Sequence, residues 1–242
     1  MWKKSVVLLI TLLLLLTLLG VTAVQAEGNN AGPVGQIQPL GPEVTRLSEL
    51  PLALQYTISE AMGRNQSGYH PERQPNGFRA ATPAQGYTTH FGLEGMTLTV
   101  GQSRLQMQLT GVGYGERLTP VAAAVPTSSD NRIEYRRGNV TEWYVNGPLG
   151  LQQGFTLAER PEPTALAEQS LTLALAIRGG WQAELSADGR NLSLTAGDGA
   201  SLRYGGLIVY DASGQELPAR FSLNPQSKTG PEPSRRGPNS RI

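Results

Sequence analysis

The sequence predicts a mainly β protein, an antiparallel sandwich or barrel-like domain with one short N-terminal helix, preceded by a signal peptide. Short runs of β-branched, aromatic or alternating apolar residues recur between Tyr87 and Tyr210, and glycine-containing turns separate them. The chain has 29 glycines and 17 prolines in 242 residues, which is typical of a turn-rich protein. Strands at this spacing favour antiparallel pairing over a parallel α/β sheet.

The first element is an export signal over residues 1–26. A basic start, MWKK, precedes an apolar run, and Val24-Gln25-Ala26 places small residues where a signal peptidase cuts. An uncleaved anchor is the alternative, because the run from Ser5 to Val24 is about long enough to span a bilayer. Both interpretations predict a secreted or cell-surface protein that meets the membrane only through this segment.

Three further regions follow the signal. Residues 27–47 are rich in Gly, Pro and Asn and predict a flexible linker. Residues 48–223 hold the helix and the β-sandwich, a length that suffices for one core. Residues 224–242 combine prolines and basic residues with almost no apolar content, which predicts a disordered tail.

The predicted helix begins after Ser48, which can cap it, carries Pro51 in its first turn and ends before Gly63. Four apolar residues fall on one helical face, and we expect this stripe to pack on a neighbouring sheet: Leu54, Ile58, Ala61 and Met62. Residues 64–86 are predicted to be a turn-rich connection.

The predicted strands lie within EGMTLTV, SRLQMQL, RIEYRR, VTEWYV, GFTLA, LTLALAI, WQAELSA, NLSLTA, SLRYG and LIVY. Two stretches fit more than one structure. Residues 121–125 suit a buried strand or an extended crossover, and residues 162–170 suit a loop or one helical turn.

Composition excludes several function classes. A net charge of +1 provides no field to attract nucleic acid, and aromatic residues at 6% are too sparse for base-stacking platforms. The chain has no cysteine, which removes disulfides, thiolate metal sites and a thiol nucleophile. We therefore expect no nucleic-acid partner, whereas a surface glycan or protein stays open as a partner.

The motifs of common active sites are missing from the sequence. His70 and His90 lack metal-ligand spacing, and no G-x-S-x-G elbow is present. The glycines of residues 111–115 lack the lysine of a phosphate loop. Single aspartates at 188, 198 and 211 predict hairpin turns rather than calcium loops. We predict no catalytic residue, no metal and no cofactor.

The stretch NRIEYRRGNVTEWYVNGPLGLQQGFTL, residues 131–157, is the most distinctive. A two-residue turn at Gly138-Asn139 would place Glu134 opposite Trp143 and Glu142 opposite Tyr135, so the two glutamates would lie on opposite faces. Such carboxylates cannot act on one bond, and nearby arginines favour ion pairs and a cation–π contact instead.

A ligand groove is the alternative for this hairpin. Its candidate binding residues are Trp143, Tyr144 and Arg136, since aromatic rings and a guanidinium on a sheet suit a glycan or a protein surface. Exposed aromatic residues on a flat sheet face, at Trp143, Tyr144 or Trp181, would indicate a carbohydrate-binding module.

The same hairpin resembles a known family. Residues 131–138 and 141–157 are similar to a block in bacterial exported proteins with FG-GAP, integrin-α-like repeats. Weaker similarities extend the resemblance over about residues 50–223, at residues 54–63, 69–70, 113–115, 120–124, 171–176, 202–207 and 210–218.

The resemblance implies a non-enzymatic extracellular or surface domain that precedes a β-propeller of FG-GAP repeats, which often bind calcium. The sequence departs from that pattern, because it contains neither an FG-GAP motif nor a D-x-D-x-D-G loop. We therefore expect a member truncated before the repeats, without their calcium sites.

Three functions are consistent with these observations. The first is a non-enzymatic secreted or surface module for structure, display or adhesion. The second is a carbohydrate-binding module of a secreted protein. The third is a secreted hydrolase, which would require a pocket that gathers His70 or His90 with carboxylates.

Overall fold

The structure is a computed structural model that describes residues 8–16, 49–162 and 169–224, the first of these ranges by its backbone alone. These residues are mainly β, with antiparallel sheets and one α-helix, α1 (Leu52–Arg64). Two single-turn 3-10 helices cover Ser67–Tyr69 and Pro83–Gln85. No helix within the described ranges combines the length and the apolar character needed to cross a bilayer.

The described residues form fifteen strands. In chain order they are β1 (Leu8–Leu16), β2 (Glu72–Gln74), β3 (Gly77–Thr82), β4 (Tyr87–Phe91), β5 (Met96–Val100), β6 (Ser103–Tyr114), β7 (Arg117–Pro120), β8 (Thr127–Ser129), β9 (Arg132–Arg137), β10 (Val140–Gly147), β11 (Gly150–Leu157), β12 (Leu171–Arg178), β13 (Gln182–Leu185), β14 (Asn191–Thr195) and β15 (Ser201–Tyr210).

Two antiparallel sheets make up the fold, as the sequence predicts. Sheet A has the strand order β13-β14-β15-β1-β11-β10-β9-β8. Sheet B has the order β12-β6-β5-β4-β3-β2, and β7 pairs with the end of β6. The chain moves from sheet A to sheet B at β12 and returns to sheet A at β13.

The core lies between the inner faces of the two sheets. Alternate residues of β4 and β5 are buried, which is the period-two pattern of strands with one face inward. Phe91 of sheet B packs on Tyr144 of sheet A, with 5.0 Å between the ring centroids. This packing of large side chains makes the two sheets one sandwich.

Strand β1 occupies the middle of sheet A. It is antiparallel to β11 on one side and to β15 on the other. Its residues belong to the apolar run of the predicted export signal. The cleavage site, the linker at residues 27–47 and the tail from residue 225 lie outside the described residues, so these three assignments stay predictions.

The predicted docking face of the helix is wrong. Leu54 and Met62 are 44% and 41% exposed, and Ala61 is exposed as well. The buried residues of α1 are Tyr56, Ser59 and Gly63. Small residues at positions 59 and 63 let the helix backbone approach β10 closely, which the apolar stripe would prevent. Gly63 is therefore a contact point inside the helix, which continues to Arg64.

Some predicted strand limits also change. The stretch at residues 64–86 contains β2 and β3 rather than a connection alone. SLRYG and LIVY form one strand, β15, which runs through Gly205 and Gly206. Residues 121–126 have no regular structure and form the extended crossover, which is one of the two alternatives. Most of residues 162–170 lie outside the described ranges.

Candidate functional site

The hairpin of β9 and β10 has the predicted register. Arg137 pairs with Val140 across the two-residue turn, and Gly138 has a φ of 67° that suits a glycine. Glu134 lies opposite Trp143, and Glu142 lies opposite Tyr135. The two glutamates therefore lie on opposite faces of sheet A, as the turn length predicts.

The inner face of the hairpin holds a buried ion pair. Arg137 Nε donates to Glu142 Oε2 at 3.0 Å, and the two side chains are 1% and 0% exposed. The guanidinium also stacks on the Tyr135 ring at 4.6 Å and donates from Nη1 to the Ala122 carbonyl oxygen at 2.7 Å. Nη2 is buried and has no hydrogen-bond partner among the described residues.

Further polar side chains complete this cluster, which we call the buried network: Arg137, Glu142, Tyr144, Gln153 and Tyr204. Glu142 Oε1 accepts from the Tyr144 hydroxyl at 2.7 Å and from Gln153 Nε2 at 3.0 Å. Gln153 Oε1 in turn accepts from the Tyr204 hydroxyl at 2.7 Å. Since burial makes unpaired polar groups costly, these bonds fix the side chains in one arrangement.

Burial and charge keep the network tyrosines protonated. Burial raises the pKa of Tyr144 well above its ordinary value, and the neighbouring Glu142 carboxylate raises it further. Burial, followed by the same carboxylate, raises the pKa of Tyr204. Each hydroxyl therefore acts as a hydrogen-bond donor, Tyr144 to the Glu142 carboxylate and Tyr204 to the Gln153 amide oxygen, and the buried carboxylate has no access to a substrate.

The outer face of the hairpin carries a second, more exposed group of charges. Arg132 Nε donates to Glu134 Oε1 at 2.7 Å, and Arg136 Nη2 lies 3.7 Å from Glu134 Oε2. The Arg132 guanidinium lies 4.5 Å from the centroid of the Trp143 ring. These are the ion pairs and the cation–π contact that the sequence predicts for this surface.

A groove of about 270 Å³ opens between this face and α1. Tyr56 and Glu60 line it from the helix, while Arg132 and Trp143 line it from β9 and β10. Its other lining residues include Gln152 and Thr156 of β11 and Ile208 and Tyr210 of β15. We call this cleft the helix–sheet groove.

Close backbone contacts set the width of the groove. A Cβ atom on Gly63 would overlap the Asn146 carbonyl oxygen, and one on Gly147 would lie 2.5 Å from the Ser59 carbonyl oxygen. The Tyr56 hydroxyl donates to the Gly206 carbonyl oxygen at 2.8 Å. The helix therefore rests on β10 at one side and on β15 at the other, and the groove lies beneath it.

The three candidate binding residues do not converge. Trp143 is 4% exposed on the outer face, Tyr144 is 1% exposed on the inner face, and the side chain of Arg136 is 81% exposed at the surface. Trp181 is half-buried and donates from Nε1 to the Arg104 carbonyl oxygen at 2.9 Å. Of the candidates, Trp143 alone lines the helix–sheet groove.

Neither histidine belongs to the hairpin of β9 and β10. His70 Nε2 is 2.8 Å from the Arg64 carbonyl oxygen, and His90 lies in β4, where it pairs with Arg79 and Thr97. Within the described ranges, no group of three or more His, Asp or Glu side chains is placed to hold a metal ion.

The predicted turn aspartates bond within their own turns. Asp211 Oδ1 accepts from the backbone N–H groups of Ser213 and Gln215 at 2.8 and 3.0 Å. A hydrogen bond from the Ser213 hydroxyl is the main cause that lowers the pKa of Asp211. Asp188 and Asp198 each accept a backbone N–H two residues further on, which is the Asx-turn pattern.

The sequence alone did not identify two parts of the site, the docking face of α1 and the members of the buried network that come from distant strands. Tyr56, Ser59 and Gly63 have the helical spacing of a docking face, but their small or polar character conceals it beside a more apolar stripe. Gln153 and Tyr204 join Glu142 from other strands, and no local pattern indicates a contact between residues 51 positions apart.

Comparison with known proteins gives no match, either to a family model, to a curated protein or to a solved structure.

Proposed function

We propose that the chain is a non-enzymatic, exported β-sandwich module that serves in surface display or adhesion. One observation carries the proposal: the polar residues of the hairpin are divided between two faces. On the inner face, Glu142 is closed within the core by Arg137 and Tyr144. On the outer face, Arg132 and Trp143 line a groove that is open to the surface.

The sequence adds two independent supports. Residues 1–26 have the organisation of an export signal, which supports a location outside the cytoplasmic membrane. Residues 131–157 resemble a block of bacterial exported FG-GAP repeat proteins, so we propose a module of that kind.

The aromatic side chains favour a protein partner over a carbohydrate. A carbohydrate-binding face needs an exposed aromatic ring on which a sugar can stack. The Trp143 ring is buried and covered by the Arg132 guanidinium, and Trp181 is half-buried. The helix–sheet groove instead combines apolar and charged groups, which is the composition of many protein-binding surfaces.

The experiment has two arms. The first arm produces the full chain with a C-terminal tag in a bacterial host. A protease is then added to intact cells and to the medium, and the loss of the tag is measured. We expect protease-accessible protein, and tag found only inside cells would contradict export.

The second arm measures adhesion of beads coated with the exported chain to a panel of surface proteins and glycans. Arg132→Ala should weaken binding because Arg132 lines the groove. Arg136→Ala is the control, because Arg136 is a more exposed arginine of the same face that lies outside the groove. Equal losses in the two variants, or no adhesion at all, would contradict a role for the groove in adhesion.

A further inference from the structure

The position of β1 in sheet A is the starting point. Leu8–Leu14 pair with Leu157–Leu151 of β11, and Leu9–Leu16 pair with Tyr210–Leu202 of β15. Because β11 and β15 are each antiparallel to β1, they run parallel to one another. We call the position between them the central slot.

Export empties the central slot. Cleavage after Ala26 would separate residues 8–16 from the rest of the chain. Anchoring would place the same residues in the bilayer, where they cannot pair with sheet A. The inference therefore rests on the proposed export, and both forms of export leave β11 and β15 without the strand between them.

The emptied slot could close only if one half of sheet A moved toward the other by about 4.8 Å, one strand spacing. Its flanks lie two strand spacings apart, about 9.6 Å, and each is held on its far side by β10 or β14. The Tyr204 hydroxyl of β15 donates to Gln153 Oε1 of β11 at 2.7 Å, a bond that bridges the two flanks. Helix α1 also links the two halves of sheet A, since Tyr56 bonds to Gly206 of β15 and Gly63 packs on Asn146 of β10.

An empty slot would expose two rows of backbone N–H and C=O groups. Unpaired strand edges of this kind bind other extended chains, because each backbone group recovers a hydrogen bond. Two facing edges offer twice the bonds of one, so a strand that enters the slot pairs on both sides.

The surroundings of the slot specify the chemistry of its occupant. Its inner face meets the apolar core, where Phe155 and Leu207 are buried. Its outer face meets the helix–sheet groove, which Thr156 lines from β11 and Ile208 from β15. The segment that fills this position, LLITLLLLL, is extended and apolar except for Thr11, so we expect an occupant of the same chemistry, whose outward side chains can enter the groove of about 270 Å³.

The remaining segments of the chain do not have this chemistry. Residues 27–47 and 225–242 are interrupted by prolines, which lack the N–H that the ladder requires. Both segments also lack a continuous apolar run as long as β1.

We propose that the exported chain binds, in the central slot, an apolar proline-free strand donated by another polypeptide and running antiparallel to β11 and β15. The donor segment replaces β1 in the sheet. This gives the proposed adhesion module a partner of defined chemistry and orientation.

The test uses the leaderless chain, residues 27–242, and a probe peptide. The probe has the sequence of residues 6–16 with lysines added at both ends for solubility. The chain contains no cysteine, so Thr156→Cys introduces a single thiol. Opposed residues lie about 4.5–5.5 Å apart, within the Cα separation of about 4.4–6.8 Å that disulfides accept.

We expect Thr156→Cys to form a disulfide with a probe that carries cysteine in place of Leu9, its register partner. A probe with cysteine in place of Leu15 is the orientation control and should not react. Binding should slow hydrogen exchange in β11 and β15 by about tenfold or more. A probe with proline in place of Thr11 and Leu13 should give no protection.

Three results would overturn the proposal. They are equal reaction of the two cysteine probes, equal protection by the proline probe, and full protection of β11 and β15 in the leaderless chain without any probe. If the leaderless chain does not fold alone, refolding only in the presence of the probe supports the proposal.

A second measurement applies if the leaderless chain folds neither alone nor with the probe. A protease site is inserted between Ala26 and Glu27 of the full chain, which is cut after folding. A labelled probe should then replace the fragment of residues 1–26. Release of the fragment without entry of the probe would overturn the proposal. Recovery of exported protein that still begins at Met1, with β1 paired in sheet A, would also overturn the proposal, because the central slot would then stay filled after export.

Discussion

Glu142→Gln provides the sharpest test of the buried network. The substitution keeps the size of the side chain and removes its charge. The amide oxygen can still accept from Tyr144 and Gln153, so the amide nitrogen then faces Arg137 Nε, and two donors meet without an acceptor. Arg137 remains in the core as an uncompensated charge.

The structure sets the magnitude of the loss. Arg137 and Glu142 are 1% and 0% exposed, so solvent screens their interaction very little. Removal of one partner from such a pair costs about 3–5 kcal/mol of the free energy of unfolding. Glu134→Gln is the matched control in the same hairpin. Its ion pairs involve side chains that are 26–81% exposed, and we expect a cost of about 0–1 kcal/mol.

Urea denaturation followed by circular dichroism measures both values. The double variant Arg137→Met with Glu142→Gln removes the stranded charge and should recover at least about 1 kcal/mol relative to Glu142→Gln. Equal losses for Glu142→Gln and Glu134→Gln would mean that the difference in burial between the two faces does not determine the cost.

Three further predictions concern packing and pH. Gly63→Ala would stabilise an ordinary helix by about 1 kcal/mol. In this protein it should be destabilising, because the new Cβ overlaps the Asn146 carbonyl oxygen. Urea denaturation measures the change, with Met62→Ala at an exposed position of the same helix as the control. Gly154→Ala should displace the Trp143 ring on which its Cβ would fall and shift the tryptophan fluorescence to longer wavelength, whereas an unchanged spectrum would contradict the packing. Burial raises the pKa of five tyrosines in the folded state. Their contribution to the free energy of unfolding is therefore fully present below about pH 10. It is lost as the pH rises above that value, by about 1.4 kcal/mol per pH unit for each tyrosine. They are Tyr56, Tyr87, Tyr135, Tyr144 and Tyr204. Tyrosinate absorbance of these five should therefore appear together with unfolding in an alkaline titration, and ionisation before unfolding would contradict their burial.

Local patterns were sufficient to predict the hairpin. A two-residue turn and the period of two fix which side chains share a face, so the separation of Glu134 from Glu142 follows from the sequence. The mainly β antiparallel class follows from the same periodicity.

Tertiary contacts decided what local patterns could not. The apolar stripe of α1 predicted the wrong docking face, since close approach to β10 needs the small Ser59 and Gly63 rather than large apolar groups. The bond between Tyr204 and Gln153 joins strands that are not neighbours in sequence. The central slot likewise depends on the pairing of β1 with β11 and β15, which hydropathy alone does not indicate.

Whether β1 leaves sheet A on export can be read from the N-terminal residue of the protein recovered outside the cytoplasmic membrane. Mass spectrometry of the intact exported chain measures it in one step. We expect a chain that begins at Glu27, or an anchored chain whose residues 8–16 lie in the membrane, and in neither form is β1 paired in sheet A. A chain that begins at Met1, with the backbone amides of Leu8–Leu16 protected from exchange within sheet A, would contradict this expectation.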